Sequence, residues 1–380
     1  MNKKNLDEIF AHYIDRFSYI NDAEHQEYYK WQVCNEFPKL MQKALAASDD
    51  NFAKELNKVK KCTFNIIDSY TQPFAGLVEC AKKEPDTVRQ MFTALYSDDH
   101  GNLSIQEKLI SDFFNSSNDL IDRCFPGSFL YKQNSHSVSS YLFLNDPDHH
   151  YMYKAVQSQR FADCVEFYDD WGIGDSIKLS VYHRMCDQLV EAIKADEKLL
   201  KTAEGRFDGT IKIEGGKLHP DTEKHILAFD IIYCCSVYDL FSGIEYTKRN
   251  SKEKQEFLVD KQHADEALES YNKAKKEKDN LAKAIDCFLG MISVGDPITH
   301  KKYGKGKVVS IDKDYISITF AKDTVKISLP IGISNRLISV DKPEFDDSVK
   351  KYTDILKRYK AINDRFKTAG NILAQYEEYL

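Results

Sequence analysis

The C-terminal part of the sequence carries two stretches whose apolar residues alternate spacings of three and four, the repeat of helices that pack side by side. Alanines and the polar Asp260 and Lys278 lie on the seam of the first stretch, so an intramolecular partner is favoured over a strong free dimer. The second stretch supplies that partner. We therefore predict an antiparallel coiled-coil arm formed by residues 251–292 and 343–380. The repeat positions are Phe257, Asp260, Ala264, Ala267, Tyr271, Ala274, Lys278, Leu281, Ile285, Phe288 and Ile292, then Phe345, Val349, Tyr352, Leu356, Tyr359, Ile362, Phe366, Ala369, Leu373, Tyr376 and Leu380.

Residues 293–342, between these two stretches, follow a period of two instead. Residues 315–320 and 324–329 both alternate apolar and polar side chains, and a short polar turn separates them. This pattern predicts short antiparallel strands joined by tight turns. Gly304 and Gly306 suit a bend in a curved sheet. We expect a small β-barrel at the tip of the arm.

The rest of the chain predicts a mainly α protein with a small β component. Residues 1–125 repeat apolar side chains at helical spacing and indicate a helical bundle, with Pro73 marking the end of its third helix. Residues 126–250 are interpreted as an α/β continuation of this body. The β part is a predicted hairpin, with strands at 137–144 and 151–156 around a turn at 145–150.

Composition excludes several classes of protein. The longest apolar stretches, such as residues 226–233, are interrupted by charge and fall far short of the roughly 20 residues that cross a bilayer. No apolar segment follows the charged N-terminus, so we expect no secretory signal and a cytoplasmic location. Nine cysteines without a Cys-x-x-Cys pair favour reduced thiols over disulfides or zinc, and we predict no cofactor.

Charge is distributed unevenly along the chain. The sequence has 53 basic and 60 acidic residues, a net charge of −7, which argues against a surface that binds nucleic acid throughout. Residues 293–342, however, contain nine basic against five acidic residues, a local charge of +4 that leaves −11 on the remainder. A local nucleic-acid contact is therefore compatible with the acidic average.

The same segment carries a recognisable motif. Residues 294–296, 300–308 and 316–320 resemble the V-G-D, H-x-x-F-G-x-G-x-V and V-x-F pattern of the Tudor-like, SH3-type barrel at the C-terminus of UvrD-type DNA helicases. The resemblance covers residues 293–340. It implies an SH3-like fold and a role in binding nucleic acid or a polymerase, with no catalytic residues. The chain lacks a Walker A sequence, so it resembles the module without the motor.

The candidate binding residues cluster in and near this motif. Lysines can contact phosphates, and an aromatic ring can pack against a base or a peptide. The alternative is a solvated lysine-rich turn that keeps strand edges from pairing with other chains. The predicted nucleic-acid or partner-binding residues are His300, Lys301, Lys302, Tyr303, Lys305, Lys307 and Lys326.

Residues 135–200 also look similar to segments that accompany McrB-type restriction ATPases. The similarity is carried by residues 141–147 and 151–154, the two sides of the predicted hairpin. It implies a recognition role in DNA processing or phage defence.

Three hypotheses for function follow from the sequence. The leading one is a non-catalytic binding or adaptor protein that works with nucleic acid or a nucleic-acid-processing enzyme. The second is a metal-dependent nuclease, and the third is a structural subunit of a larger complex. Turn chemistry explains the acidic clusters of the second hypothesis better than metal binding does, so we predict no metal site. The clusters considered are Asp98, Asp99 and His100, then Asp146, Asp148, His149 and His150, then Asp169, Asp170 and Asp175.

Overall fold

The computed structural model describes residues 1–64, 66–67, 72–97, 102–172, 177–312 and 315–380. The protein is mainly helical, with one five-stranded antiparallel sheet near its C-terminal end. The chain divides into two compact units, Met1–Asn250 and Ser251–Leu380, which we call the N-terminal unit and the C-terminal unit. Within the described ranges, no helix is both long and apolar enough to cross a membrane.

The N-terminal unit consists of helices around one apolar core. Its first helix lies where the three-and-four spacing predicts it, with the Asn2 side chain capping its start and Asn21 following its last residue. The helices are α1 Lys3–Ile20, α2 Tyr29–Leu45, α3 Asp49–Cys62, α4 Pro73–Ala81, α5 Pro85–Leu95, α6 Leu103–Cys124, α7 Ser135–Asn145, α8 Ala155–Cys164, α9 Leu179–Ala195, α10 Glu197–Ala203 and α11 His225–Val237, with a short 3₁₀ helix at Glu204–Arg206.

The predicted β-hairpin at residues 137–156 is wrong. Its first strand is the helix α7, residues 151–154 form no strand, and α8 follows at once. Helix α7 is buried on nearly every side, so its sequence has no polar face and resembles that of a buried strand. A capping box fixes its start, because Asn134 and Ser137 each accept a hydrogen bond from the other residue's backbone N–H. The likeness to McrB-associated segments therefore loses the hairpin on which it rested.

One proline lies at a different end of a helix from the one predicted. Pro73 begins α4 and does not end α3, which stops at Cys62. Proline suits the first turn of a helix because the N–H that it lacks would have no helical partner there. Pro38 lies inside α2, which continues through it to Leu45.

Two long helices of the C-terminal unit pack antiparallel. They are α12, Ser251–Leu289, and α14, Pro343–Leu373, which a 3₁₀ segment extends to Tyr379. Rings near the end of α12 contact rings near the start of α14, as Phe288 does with Phe345 at 5.3 Å between centroids. Rings near the start of α12 contact the end of the chain, as Phe257 does with Tyr379 at 5.3 Å. The buried residues of α12 are Phe257, Ala264, Ala267, Ala274, Leu281 and Phe288, all on the predicted seam.

The sheet lies between these helices in the sequence, as predicted. Its strands are hydrogen-bonded in the order β4-β3-β2-β1-β5, and each pair is antiparallel. In the described part of the chain β4 and β5 form its two edges, so the sheet is open and the predicted barrel is not closed by hydrogen bonds. A bulge at Val308–Ser310 shifts the register of β2 against β3. The elements are β1 Pro297–His300, β2 Gly304–Asp312, β3 Tyr315–Thr319, β4 Thr324–Ser328, helix α13 Leu329–Ser334 and β5 Ile338–Val340.

Candidate nucleic-acid interface

Three of the predicted lysines lie on one face of the sheet. Side chains alternate along a strand, and Lys305 and Lys307 point away from the buried Val308. Directly opposed residues share a face, so Thr319 and Thr324 join Lys307 there. Lys326 lies two residues beyond Thr324 on the same face. This outer face consists of Pro297, Thr299, Lys305, Lys307, Ser310, Asp312, Tyr315, Ser317, Thr319, Thr324, Lys326, Ser328 and Ser339.

The turn between β1 and β2 holds four more of the predicted residues. His300, the last residue of β1, lies at the base of the turn and is only 8% exposed. The Nδ1 atom of His300 accepts hydrogen bonds from the backbone N–H groups of Lys302 at 3.0 Å and Tyr303 at 3.3 Å. The turn then ends at Gly304, whose φ of +77° suits glycine. His300 therefore positions the turn and does not present its ring to a ligand, whereas Lys301, Lys302 and Tyr303 are exposed.

Tyr303 is an aromatic group that the turn offers. Its ring packs at 5.3 Å from that of Phe320 and remains 44% exposed, with the Lys302 ammonium 5.4 Å from its centroid. The arrangement needs Gly306, because a Cβ atom there would lie 2.6 Å from Cδ1 of Phe320. The ring of Tyr303 is thus held in place beside a cation and remains accessible.

Lys301 lies near a second cation, Arg336, which is not among the site residues predicted from the sequence. Arg336, just before β5, lines with Lys301 a cavity of about 430 Å³, together with the hydroxyls of Thr299 and Ser339. The backbone N–H of Lys301 donates to the carbonyl of Leu337 at 2.9 Å, which ties the turn to this strand. No carboxylate is among the described residues that line the cavity. Arg336 is 35 positions from Lys301 in the chain, so only the β1–β5 pairing could have revealed it.

Most cations of this surface are available to a ligand. In the described ranges, no ion pair engages the side chains of Lys301, Lys302, Lys305, Lys307 and Arg336. Lys326 is different, because it lies 3.5 Å from the Asp312 carboxylate and 4.8 Å above the Tyr315 ring. Lys342 is also engaged, and its hydrogen bond lowers the pKa of Asp296. We call the five available cations the basic surface.

Three carboxylates of the nuclease hypothesis have partners in the protein. Asp146 lies 3.0 Å from His149, and Asp169 is paired with Arg184 at 2.9 Å. Asp170 accepts a hydrogen bond from the backbone N–H of Gly172 in its own turn. Among the residues that the structure describes, no group of three His, Cys, Asp or Glu side chains is arranged to hold a metal ion. Four further candidates, Asp98, Asp99, His100 and Asp175, lie outside the described residues.

A buried ion network in the N-terminal unit was not anticipated. Asp230, on α11, accepts hydrogen bonds from the Lys30 ammonium at 2.5 Å, from Nη2 of Arg206 at 3.0 Å and from the Tyr13 hydroxyl. Lys30 also pairs with Glu27 at 2.8 Å. These side chains come from distant parts of the chain, so no local spacing signals them.

Electrostatics favours the charged forms of Asp230 and Lys30 in this network. Burial alone would raise the pKa of Asp230, but Lys30 and Arg206 outweigh it and hold that pKa below its ordinary value. Burial alone would lower the pKa of Lys30, and Asp230 reverses that effect. Two basic and two acidic side chains meet in this network inside the core.

The comparisons with known proteins leave the function to be argued from geometry. No protein-family model, curated protein or solved structure matches the chain. The basic surface can neutralise phosphates, and the hydroxyls and exposed rings beside it can add hydrogen bonds and stacking. Neither of these abilities requires a catalytic group.

Proposed function

We propose that the protein is a non-catalytic binding or adaptor protein of nucleic-acid metabolism or phage defence, and that its basic surface contacts the phosphate backbone of nucleic acid. The observation that carries this proposal is a set of five exposed cations without described ion pairs, grouped on one sheet and its turn. The acidic remainder of the chain would repel nucleic acid, so contact is confined to this surface.

The proposal includes an SH3-like barrel on a coiled-coil arm. Five short antiparallel strands, with the last strand beside the first, support the barrel, as does the bulge that bends β2. Seven-residue spacing of the buried Phe257 and Ala264, and again of Ala267, Ala274, Leu281 and Phe288, supports coiled-coil packing of α12 against α14.

Counterion release gives the proposal a quantitative form. Each phosphate neutralised on double-stranded DNA contributes about −0.9 to the slope of log affinity against log salt. Five cations therefore imply a slope of about −4.5, or an affinity loss of about 500-fold between about 50 and about 200 mM salt. Binding should be nearly independent of sequence, because phosphates carry no base information.

The test measures binding of the full-length protein to a fluorescent duplex and a fluorescent single strand by anisotropy over this salt range. Replacing Lys301, Lys305 and Lys307 by Gln should reduce the magnitude of the slope by about 2.7 on the duplex. The matched control replaces by Gln three exposed lysines of the N-terminal unit, which should leave the slope unchanged. The control lysines are Lys61, Lys198 and Lys201.

Two results would reject the nucleic-acid proposal. One is the absence of salt-dependent binding to either probe, and the other is an equal effect of the two triple variants. Capture of a nucleic-acid-processing protein that depends on Lys301, Lys305 and Lys307 would then identify the same surface as a protein-docking site.

A further inference from the structure

A cavity of about 730 Å³ opens in the N-terminal unit, remote in sequence from the basic surface. It lies between the start of α2, the end of α3, the loop at 214–217 and α11, and its volume is typical of small-molecule sites. Gln32 shapes its rim, because Nε2 donates to the carbonyl oxygens of Glu214 at 2.7 Å and Gly216 at 3.1 Å. The loop is thereby held open before any ligand arrives.

Three aromatic rings line the cavity. They belong to Tyr29, Phe64 and Tyr233. The Lys30 ammonium already lies 4.1 Å from the centroid of the Tyr233 ring, so Tyr29 and Phe64 are the rings left for a ligand. The Tyr29 and Phe64 rings are nearly perpendicular, at 80°, with centroids 5.8 Å apart. Phe64 is 62% exposed, so much of its ring is not covered by the protein's own side chains. The cavity therefore offers uncovered aromatic surface to a ligand.

The polar lining is acidic. The side chains of Glu24, Glu27, Glu36 and Glu214 line the cavity together with a single lysine, Lys217, and with His25. Glu27 is only 5% exposed, and it is held by the Tyr238 hydroxyl at 2.5 Å and by Lys30. Glu214 lies 2.7 Å from the exposed Lys212, whereas Glu36 makes no ion pair in the described part of the chain. Clefts with low-dielectric walls focus such a negative field.

We propose that this cavity binds an organic cation, an alkylammonium group whose methyl or methylene groups pack against the rings while the carboxylates supply counter-charge. Aromatic faces attract such cations at exposed sites, and more strongly where water is excluded. The proposal does not depend on the role of the basic surface, which lies in the other unit.

Two sources could present this chemistry. One is a free small cation such as choline or a polyamine, and the other is a lysine side chain of a peptide, methylated on its nitrogen. Both place a positive nitrogen on an apolar stem. A cavity of this size admits either one.

Titration calorimetry of the full-length protein tests the proposal with charged and neutral probes of the same shape. Choline should bind about tenfold or more tightly than 3,3-dimethylbutanol, its uncharged isostere, because only the cation gains the electrostatic terms. Spermidine and a doubly capped trimethyllysine complete the set. If the capped trimethyllysine binds more tightly than both choline and spermidine, the source is a peptide. If choline or spermidine binds more tightly than the capped trimethyllysine, the source is a free cation.

Two exposed lining residues supply the variants, so that folding is preserved. Phe64→Leu and Glu36→Gln should each weaken cation binding about two- to fivefold. The controls make the same replacements outside the cavity, at Phe129, which is 86% exposed, and at the exposed Glu191. Equal affinities for choline and its neutral isostere, no binding of any cationic probe, or equal effects of control and lining variants would each overturn the proposal.

Discussion

The replacement Asp230→Asn tests the buried ion network most directly. It keeps the size of the side chain but removes one of the two anions that balance the Lys30 ammonium and the Arg206 guanidinium. All three side chains are almost wholly buried. Breaking a buried pair by removing one partner typically costs about 3–5 kcal/mol, because the remaining charge has no water to compensate it. We therefore expect the free energy of unfolding to fall by that amount.

Urea denaturation followed by tryptophan fluorescence measures this loss. Both tryptophans, Trp31 and Trp171, lie in the N-terminal unit, and the Arg206 guanidinium lies 4.1 Å from the Trp31 ring. The control is Glu79→Gln, which breaks an exposed pair with Lys82 and should change stability by less than about 1 kcal/mol.

A double variant separates charge imbalance from lost hydrogen bonds. Adding Lys30→Met to Asp230→Asn leaves Arg206 and Glu27, one cation and one anion, so the double variant should recover part of the loss. A change within about 1 kcal/mol for Asp230→Asn alone would refute the reasoning. So would a double variant less stable than the single one.

Two further predictions concern a histidine and a glycine. Burial lowers the pKa of His183 to about 4, and the smaller effects of Asp187 and His225 raise and lower that pKa respectively. Below the ordinary pKa of histidine, the unfolded chain therefore binds a proton at this residue that the folded protein does not bind. Its share of the free energy of unfolding should fall by about 2 kcal/mol from about pH 7 to about pH 5. The free energy of unfolding of His183→Gln, measured in urea, should lack this part of the pH dependence. A pH dependence equal to that of the unchanged protein would contradict the prediction. Gly306→Ala should destabilise the sheet by about 1–3 kcal/mol because its Cβ would meet Phe320 and Ile318. Proteolysis of the C-terminal unit should accelerate in Gly306→Ala but not in the control Gly216→Ala, where a Cβ meets nothing within 4 Å; equal rates would count against this account.

Periodicity predicted those elements that have one buried and one exposed face. Helices α12 and α14 and strands β3 and β4 lie where their repeats of seven and of two place them. Such elements reveal themselves because solvent and core select different residues at alternating positions. Helix α7 has no such contrast, since residues 137–144 are all buried. Its signal was the cap at Asn134 and Ser137, which outweighs the strand preference of its aromatic residues.

The candidate site was predictable only in part. Lysines next to one another in sequence, such as Lys301 and Lys302, were found from local charge. Arg336 was not selected, because strand pairing alone brings it to Lys301. His300 was selected for its ring chemistry, but its Nδ1 is committed to the backbone of the turn. Local sequence thus identifies the surface, whereas hydrogen bonding decides which side chains face a ligand.

The buried network also sets an order of events during synthesis. Lys30 and Asp230 are 200 positions apart, so the ribosome must make most of the N-terminal unit before the counter-charge of Lys30 exists. Before Asp230 is made, Glu27 is the one acidic residue of this network in the growing chain. The Lys30 ammonium, and the Arg206 guanidinium once it is made, lack the Asp230 carboxylate during that time. Helices α1 and α2 can therefore complete this network only after α11 has been synthesised, in keeping with the folding of a domain as one unit.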